Sequence, residues 1–301
     1  MKALRKNRIT TFCLYALPIL LVYIYFITIP FLETFYYGMT DWNGIGKTWN
    51  FIGFDNFKKL FTKDKVIWDA LWHNVEFCIY GGIFTFLIAI FNAVVVTQSH
   101  LRGWEKKFYR ITYFIPNILS TVVVSLLWMF IYNPNWGILN SGLQAVGLDN
   151  LTHVWLGEKS TVVPALIVPW VWTSVGFYMI LYISAIESIP TSLFEAAEID
   201  GAGSWQKFWT ITWPLLKETT KTSLVFFFIN AFSGVFTLVN VMTQGGPAKA
   251  SEVMTNYLYT QAFRMSEFGY GTAIGVMTFF VVLIVSAVLL ILTRTTDTIE
   301  Y

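Results

Sequence analysis

Six long apolar stretches, separated by shorter polar ones, run the length of the chain: Phe12–Leu32, Val75–Val96, Ile111–Ile131, Val162–Ile183, Ser223–Met242 and Gly271–Leu292. Each reaches the roughly 20 helical residues needed to cross a hydrocarbon core about 30 Å thick. Among Asp, Glu, Lys, Arg and His, the six stretches contain Glu76 alone, close to one end of the second. The pattern predicts an all-α integral membrane protein with six transmembrane helices. No internal repeat or soluble linker interrupts it, so residues 1–301 read as one transmembrane domain. The first stretch is longer than the apolar core of a secretory signal and no small-x-small cleavage site follows it, so it reads as a retained anchor.

Composition sharpens that reading. More than half of the residues are apolar (55%) and only 13% are charged, too greasy a balance for a soluble domain of 301 residues. The formal net charge of +2 and the short, scattered basic clusters point away from a nucleic-acid partner. The distribution of Lys and Arg orients the chain. Lys2, Arg5, Lys6 and Arg8 precede the first stretch; Arg102, Lys106, Lys107 and Arg110 follow the second; Lys207, Lys217 and Lys221 follow the fourth; Arg294 follows the sixth. All lie on one side, which the positive-inside rule makes cytoplasmic, with both termini inside. The opposite side has a cluster of its own, Lys47, Lys58, Lys59, Lys63 and Lys65, balanced there by Asp41, Asp55, Asp64 and Asp69.

Several familiar chemistries are missing. Gly44-Ile-Gly-Lys-Thr48 holds a GKT triplet, but a phosphate-binding loop needs glycine where Asp41 stands. Asn150-Leu-Thr152 fits a glycosylation sequon, a tripeptide common by chance. His73, His100 and His153 lack ligand spacing, and Cys13 and Cys78 sit in or beside apolar stretches, so neither a metal site nor a disulfide is implied. No catalytic constellation appears, and the chain does not read as an enzyme. The near-absence of intramembrane charge also counts against an ion-coupled carrier, which uses such groups. The spans instead carry neutral polarity and helix-loosening residues: Asn92, Asn117, Ser174, Asn230, Ser233, Thr237 and Asn240, with Pro116, Pro164, Pro169, Gly176 and Gly234. These suit either contacts to a hydroxylated solute or helix–helix packing. Ser233, Thr237 and Asn240 fall at i, i+4 and i+7, one face of a helix. Trp42, Trp49, Trp68, Trp72, Trp136 and Trp155 lie near predicted membrane edges, where tryptophan anchors.

The polar island between the fourth and fifth stretches, about 187–221, carries the most specific pattern. Ser192-Leu-Phe-Glu195 reads as a capping box that starts a helix. Phe194, Ala197 and Gly201 fall on one face, Ala196 and Ala197 leave room for close approach, and Gly201 after Asp200 is a natural C-terminal stop. A second short element through Trp205, Lys207 and Phe208 should follow, ended by Pro214 at the return to the membrane.

Glu195-Ala196-Ala197, then Gly201, Ile211 and Pro214 at their spacing, resemble the EAA loop of ABC-importer permeases, with Trp213 where that family usually has leucine. Ser188-Ile-Pro190, Glu198-Ile-Asp-Gly-Ala202, Thr243-Gln-Gly-Gly-Pro247 and Phe268-Gly-Tyr270 extend the resemblance to carbohydrate importers, and the Gly-Gly-Pro turn to the maltose-type first permease of a two-permease pair. The resemblance covers Pro18 to about Thr293. It implies the type I ABC-importer permease fold in a bacterial cytoplasmic membrane, multi-pass. It also implies a second homologous permease forming a heterodimer, two cytoplasmic ABC ATPase subunits that bind ATP and Mg, and an extracytoplasmic sugar-binding protein; this chain would hold no cofactor. Glu195, Ala196, Ala197, Asp200 and Gly201 would couple to the ATPase, and Asn230, Ser233, Gly234, Thr237 and Asn240 would contact the sugar. The alternatives are a permease for another solute, such as amino acids or peptides, and a secondary carrier.

Overall fold

The structure is a computed structural model that describes residues 2–46, 48–98 and 101–292, and for residues 2–11 and 98 the backbone alone. Lys47, His100 and Arg294 lie outside the described residues, as do the side chains of Lys2, Arg5, Lys6 and Arg8. The larger helices are α1 (Phe12–Tyr37), α2 (Val66–Thr97), α3 (Gly103–Ile118), α4 (Thr121–Ile131), α5 (Ile138–Ala145), α6 (Val162–Glu187), α7 (Thr191–Ile199), α8 (Ser204–Met242) and α9 (Phe268–Leu292). Among the described residues strand geometry is limited to one bridge, Thr40 with Phe51.

Five helices, α1, α2, α6, α8 and α9, are each long and apolar enough to cross a membrane, and α3 with α4 makes a sixth crossing if the pair counts as one. That third crossing differs from the expected single helix. Leu119 (ψ 141°) and Ser120 (ψ 136°) are extended, and α3 and α4 meet at 97°. Pro116, three residues before the break, has already removed one amide donor from the ladder. The Asn117 amide holds the end of α3 by donating to the Thr173 carbonyl on α6 at 3.1 Å.

Two helices run further than hydropathy indicated, α2 from Val66 and α8 from Ser204. At 1.5 Å per residue the 39 residues of α8 span about 58 Å, nearly twice a hydrocarbon core. Its first turns therefore project beyond the membrane. Pro214 does not end a separate element, contrary to the sequence reading. A π-helical turn at Phe208–Thr212 precedes it and shifts the hydrogen-bond register, so the missing proline amide falls at the start of the following α-helical run.

The described residues pack as two compact units, one of residues 2–64 and 258–279, the other of 65–257 and 280–292. In the first, the turn after α1 sits directly on the start of α9: a Cβ on Gly269 would lie 2.1 Å from the Thr40 carbonyl oxygen. Asn56 ties this turn by donating to the Gly38 and Thr40 carbonyls at 3.0 and 2.8 Å. Lys59 pairs with Glu267 at 2.6 Å and lies 4.0 Å above the Tyr270 ring.

The second unit is built on α2, α6 and α8. Phe86 of α2 meets Tyr178 of α6 at 5.1 Å and Phe227 of α8 at 5.5 Å between ring centroids. Gly176 of α6 lets α3 cross at backbone contact, since a Cβ there would sit 2.1 Å from the Tyr113 carbonyl oxygen. After α8 the Gln244-Gly-Gly-Pro247 turn closes over a buried polar knot. Glu252, fully buried, pairs with Lys249 at 2.7 Å and accepts from the Asn256 amide.

Candidate functional site

The polar island is two helices joined by a tight stop. Pro190 (ψ 128°) is extended after Ile189, so α7 begins at Thr191 and no side chain caps it. The expected capping box is therefore absent: the proline backbone sets the boundary two residues early, and Ser192 and Glu195 fall inside the helix. The stop at Gly201 forms as the sequence suggests. Gly201 adopts φ +78°, its amide donates to the Glu198 carbonyl at 3.0 Å and the Ala202 amide to the Ala197 carbonyl at 2.8 Å. These two bonds make a full Schellman closure. Because Gly201 lies beyond the helix, it does not share a helical face with Phe194 and Ala197.

The second arm is then pinned to the first. Lys207, near the start of α8, pairs with Glu198 at 2.7 Å, and that ammonium holds the Glu198 carboxyl below the usual carboxylate range. Phe194 and Ala197 turn inward and are half-buried, whereas Ser192, Glu195, Ala196 and Ile199 share the outward face at helical spacing, with Asp200 and Gly201 exposed beside them. The two alanines thus do different jobs. Sequence reasoning missed the largest groups on this surface, Ile199 (87% exposed) and Trp205 (75% exposed). Ile199 stands three residues after Ala196, and that spacing was the available signal. Trp205, Trp209 and Trp213 continue as a ladder of rings 5.7 and 6.0 Å apart.

A second site lies between α3, α6 and α8. Asn117, Thr121, Thr173, Ser174, Asn230 and Gly234 line a cleft of about 340 Å³ with Trp170, Phe177, Tyr178 and Phe227. From Phe177 and Asn230 another cleft of about 410 Å³ continues past Thr222 and Thr219 to Glu218, so Asn230 stands where the two meet. The break between α3 and α4 exposes Thr121 to this cleft. Of the residues expected at a solute site, Asn230 and Gly234 come together here with Asn117 and Ser174. Ser233 is exposed and its hydroxyl donates to the Ile229 carbonyl at 2.8 Å, while Asn240 donates to Asn256 at 2.8 Å in the knot around Glu252. Thr237 is half-buried, and a turn at Gly234–Val235 interrupts the face that Ser233, Thr237 and Asn240 were expected to share. Trp170, Thr121 and Thr173 were not anticipated; their proximity in sequence to Pro169, Pro116 and Asn117 was the only hint.

Residues 82–298 match the family described as binding-protein-dependent transport system inner membrane component. The chain belongs to this family. The permease is 35% identical to the diacetylchitobiose uptake system permease protein NgcF of Streptomyces coelicolor, over 98% of this chain and 85% of that one. It is 38% identical to the probable ABC transporter permease protein YurN of Bacillus subtilis, over 93% and 94%. The crystal structure of a bacterial ABC transporter that imports the acidic polysaccharide alginate contains a chain of the same fold, with TM-score 0.84 at 24% identity over 98% of the permease and all of that chain. The permease is thus a multi-pass, non-catalytic membrane subunit of a binding-protein-dependent ABC importer.

Proposed function

We propose that the permease carries a sugar into the cytoplasm of a bacterium across its plasma membrane. The cleft at Asn230 supports this reading most directly: it joins neutral hydrogen-bonding groups to aromatic rings and has no charged residue along its upper part. Sugars offer hydroxyls to amides and hydroxyls and a flat C–H face to aromatic rings; an amino acid or peptide would call for charged partners. Relatives named for diacetylchitobiose uptake and for transport of starch degradation products point the same way. Asn230, Gly234, Asn117 and Ser174 contact the solute in this reading, with Ser233 and Thr237 at its edge and Asn240 acting from behind through Asn256.

Energy comes from outside the chain. Two cytoplasmic ATPase subunits bind ATP and Mg, a second homologous permease completes a heterodimer, and an extracytoplasmic binding protein delivers the sugar; one relative of the same fold was solved with an alginate-pentasaccharide-bound periplasmic protein. The rigid pair of α7 and the start of α8 sits in a groove of the ATPase. There Glu195 is the charged contact, Ala196 and Ile199 the close-packed surface, and Asp200 and Gly201 the turn. A docked rigid element can transmit a difference in binding between two states, which a floppy loop cannot. ATP-driven uptake of labelled oligosaccharides into vesicles holding the assembled transporter tests the reading. Asn230→Ala should raise the half-saturating sugar concentration about fivefold, the loss of roughly one hydrogen bond, with ATP hydrolysis retained. Unchanged uptake kinetics would remove Asn230 from the pathway.

A further inference from the structure

Between α4 and α6 the chain builds a cap, at the end of α6 opposite α7. A tight turn at Asn133–Gly137 leads into α5, and the chain returns through 146–161; a Cβ on Gly137 would come within 2.4 Å of the Asn133 carbonyl oxygen, so the turn is closely wound. The polar groups of the cap satisfy one another. Asn140 donates to the His153 carbonyl at 3.0 Å and accepts from the Trp155 indole at 2.8 Å, while Glu158 accepts from the Val154 amide and from His153, both at 2.9 Å.

The outward surface is a different matter. Ile138 is 75% exposed and Val146 70%, and Trp136, Leu148, Leu151 and Val154 are exposed with them. From Ile131 to Leu148 there is no Asp, Glu, Lys, Arg or His; the charged groups of the cap, Asp149, Glu158 and Lys159, all fall in the return. An uncharged surface with this many exposed apolar side chains, among them the polar Asn135, Ser141 and Gln144, marks a membrane or protein contact rather than a face toward water.

Beneath α5 runs a groove of about 580 Å³, lined by Trp128, Tyr132, Leu139, Gly142, Trp155 and Val168 among others. Its volume falls within the roughly 300–1,000 Å³ of small-ligand pockets. The groove is continuous with the outer surface of the spans: Val168 of α6 and Ile138 belong to it and are exposed, and the Trp136 ring lies 5.6 Å from Phe130, an exposed residue of α4. The apolar surface of two membrane helices therefore runs into the cap through the Phe130–Trp136 contact, with Asn135 the exposed polar residue beside it. No charged residue stands between Phe130 and Ile138 to mark the rim of a protein interface.

We propose that the cap lies in the interfacial layer of the membrane, with α5 along its plane, and that the groove beneath α5 holds an acyl chain of a bilayer lipid. Short helices with one apolar face settle at this depth, and the tryptophans around the groove suit the same layer. The anchored cap ties the broken crossing of α3 and α4 to the bilayer.

The test uses the assembled transporter in lipid nanodiscs, with Cys13 and Cys78 replaced by alanine and a nitroxide attached at Ile138→Cys or Val146→Cys. Both sites are exposed, and Val146 stands outside the residues that line the groove. Collisions with oxygen should exceed those with a water-soluble nickel chelate at both positions, as at a Phe130→Cys control, with the ratio inverted at Lys159→Cys. Nickel collisions dominating at both positions would overturn the proposal, as would neither reagent reaching them, the mark of a protein partner. For the groove, Gly142→Phe puts a ring into it from a position where a Cβ meets nothing within 4 Å. The motionally restricted fraction of a phosphatidylcholine labelled in mid-chain should fall in this variant; an unchanged fraction would mean the groove holds no lipid.

Discussion

Gly201 holds φ +78° with open space where a Cβ would stand. Any effect of Gly201→Ala must therefore come through the backbone, and the left-handed conformation costs an L residue about 1–2 kcal/mol. The predicted outcome is a loosened Schellman closure and a partial loss of uptake, read in vesicles, with wild-type amounts of chain in the membrane. Gly245 shows the opposite case. It also needs a positive φ, at +84°, but a Cβ there would come within 2.5 Å of the buried Glu252 carboxylate. Gly245→Ala should add overpacking of about 1–3 kcal/mol to the backbone strain, visible as a lower unfolding temperature of the purified complex. The Glu198–Lys207 pair predicts a pH response. The Glu198 carboxyl is depressed by Lys207, so the closure it supports is complete above the ordinary carboxylate value of about 4.5 and is lost as pH falls through the lower folded value. Coupled ATP hydrolysis should stay flat in this respect from pH 6 to 8, and Glu198→Gln should weaken it at neutral pH.

At the scale of elements, the crossing of α3 over α6 depends on Gly176. Its Cβ would strike backbone rather than a movable side chain, so Gly176→Leu must push the helices apart and widen the cleft at Asn117 and Ser174. Poor recovery of the variant from membranes, measured by size-exclusion chromatography, is the expected result; normal recovery with normal uptake would contradict the packing argument. This is also the scale at which sequence and structure part company. The six spans and the stop at Gly201 were legible because hydropathy and glycine chemistry act locally. The break at Leu119–Ser120 was not, because those residues sit among apolar neighbours and hydropathy does not register an extended pair. The early start of α8 was hidden because Ser204 to Thr222 mixes aromatic residues with Lys207, Pro214, Lys217, Glu218 and Lys221, so no membrane-length apolar run marks a helix that continues beyond the bilayer. The capping box failed because Pro190 dictated the backbone before the Ser192 side chain could cap it. In the solute cleft, Asn230 and Asn117 stood out as polar groups in apolar spans, but Trp170 and Thr121 join them only through the tertiary fold.

The molecule as a whole places its two candidate working surfaces in line. The cleft at Asn230 passes down between α6 and α8 to Glu218, and the same α8 continues through Pro214 to Lys207, where Glu198 fastens it to α7. A displacement imposed on α7 therefore has a continuous helix along which to reach the cleft, which is how the account joins ATP hydrolysis in partner subunits to passage of a sugar. The most direct test is ATP-driven sugar uptake by the assembled transporter carrying Gly201→Asp, with the amount of permease in the membrane measured in the same preparation. The account predicts that uptake is abolished while the chain remains in the membrane; wild-type uptake by a well-expressed Gly201→Asp protein would contradict it.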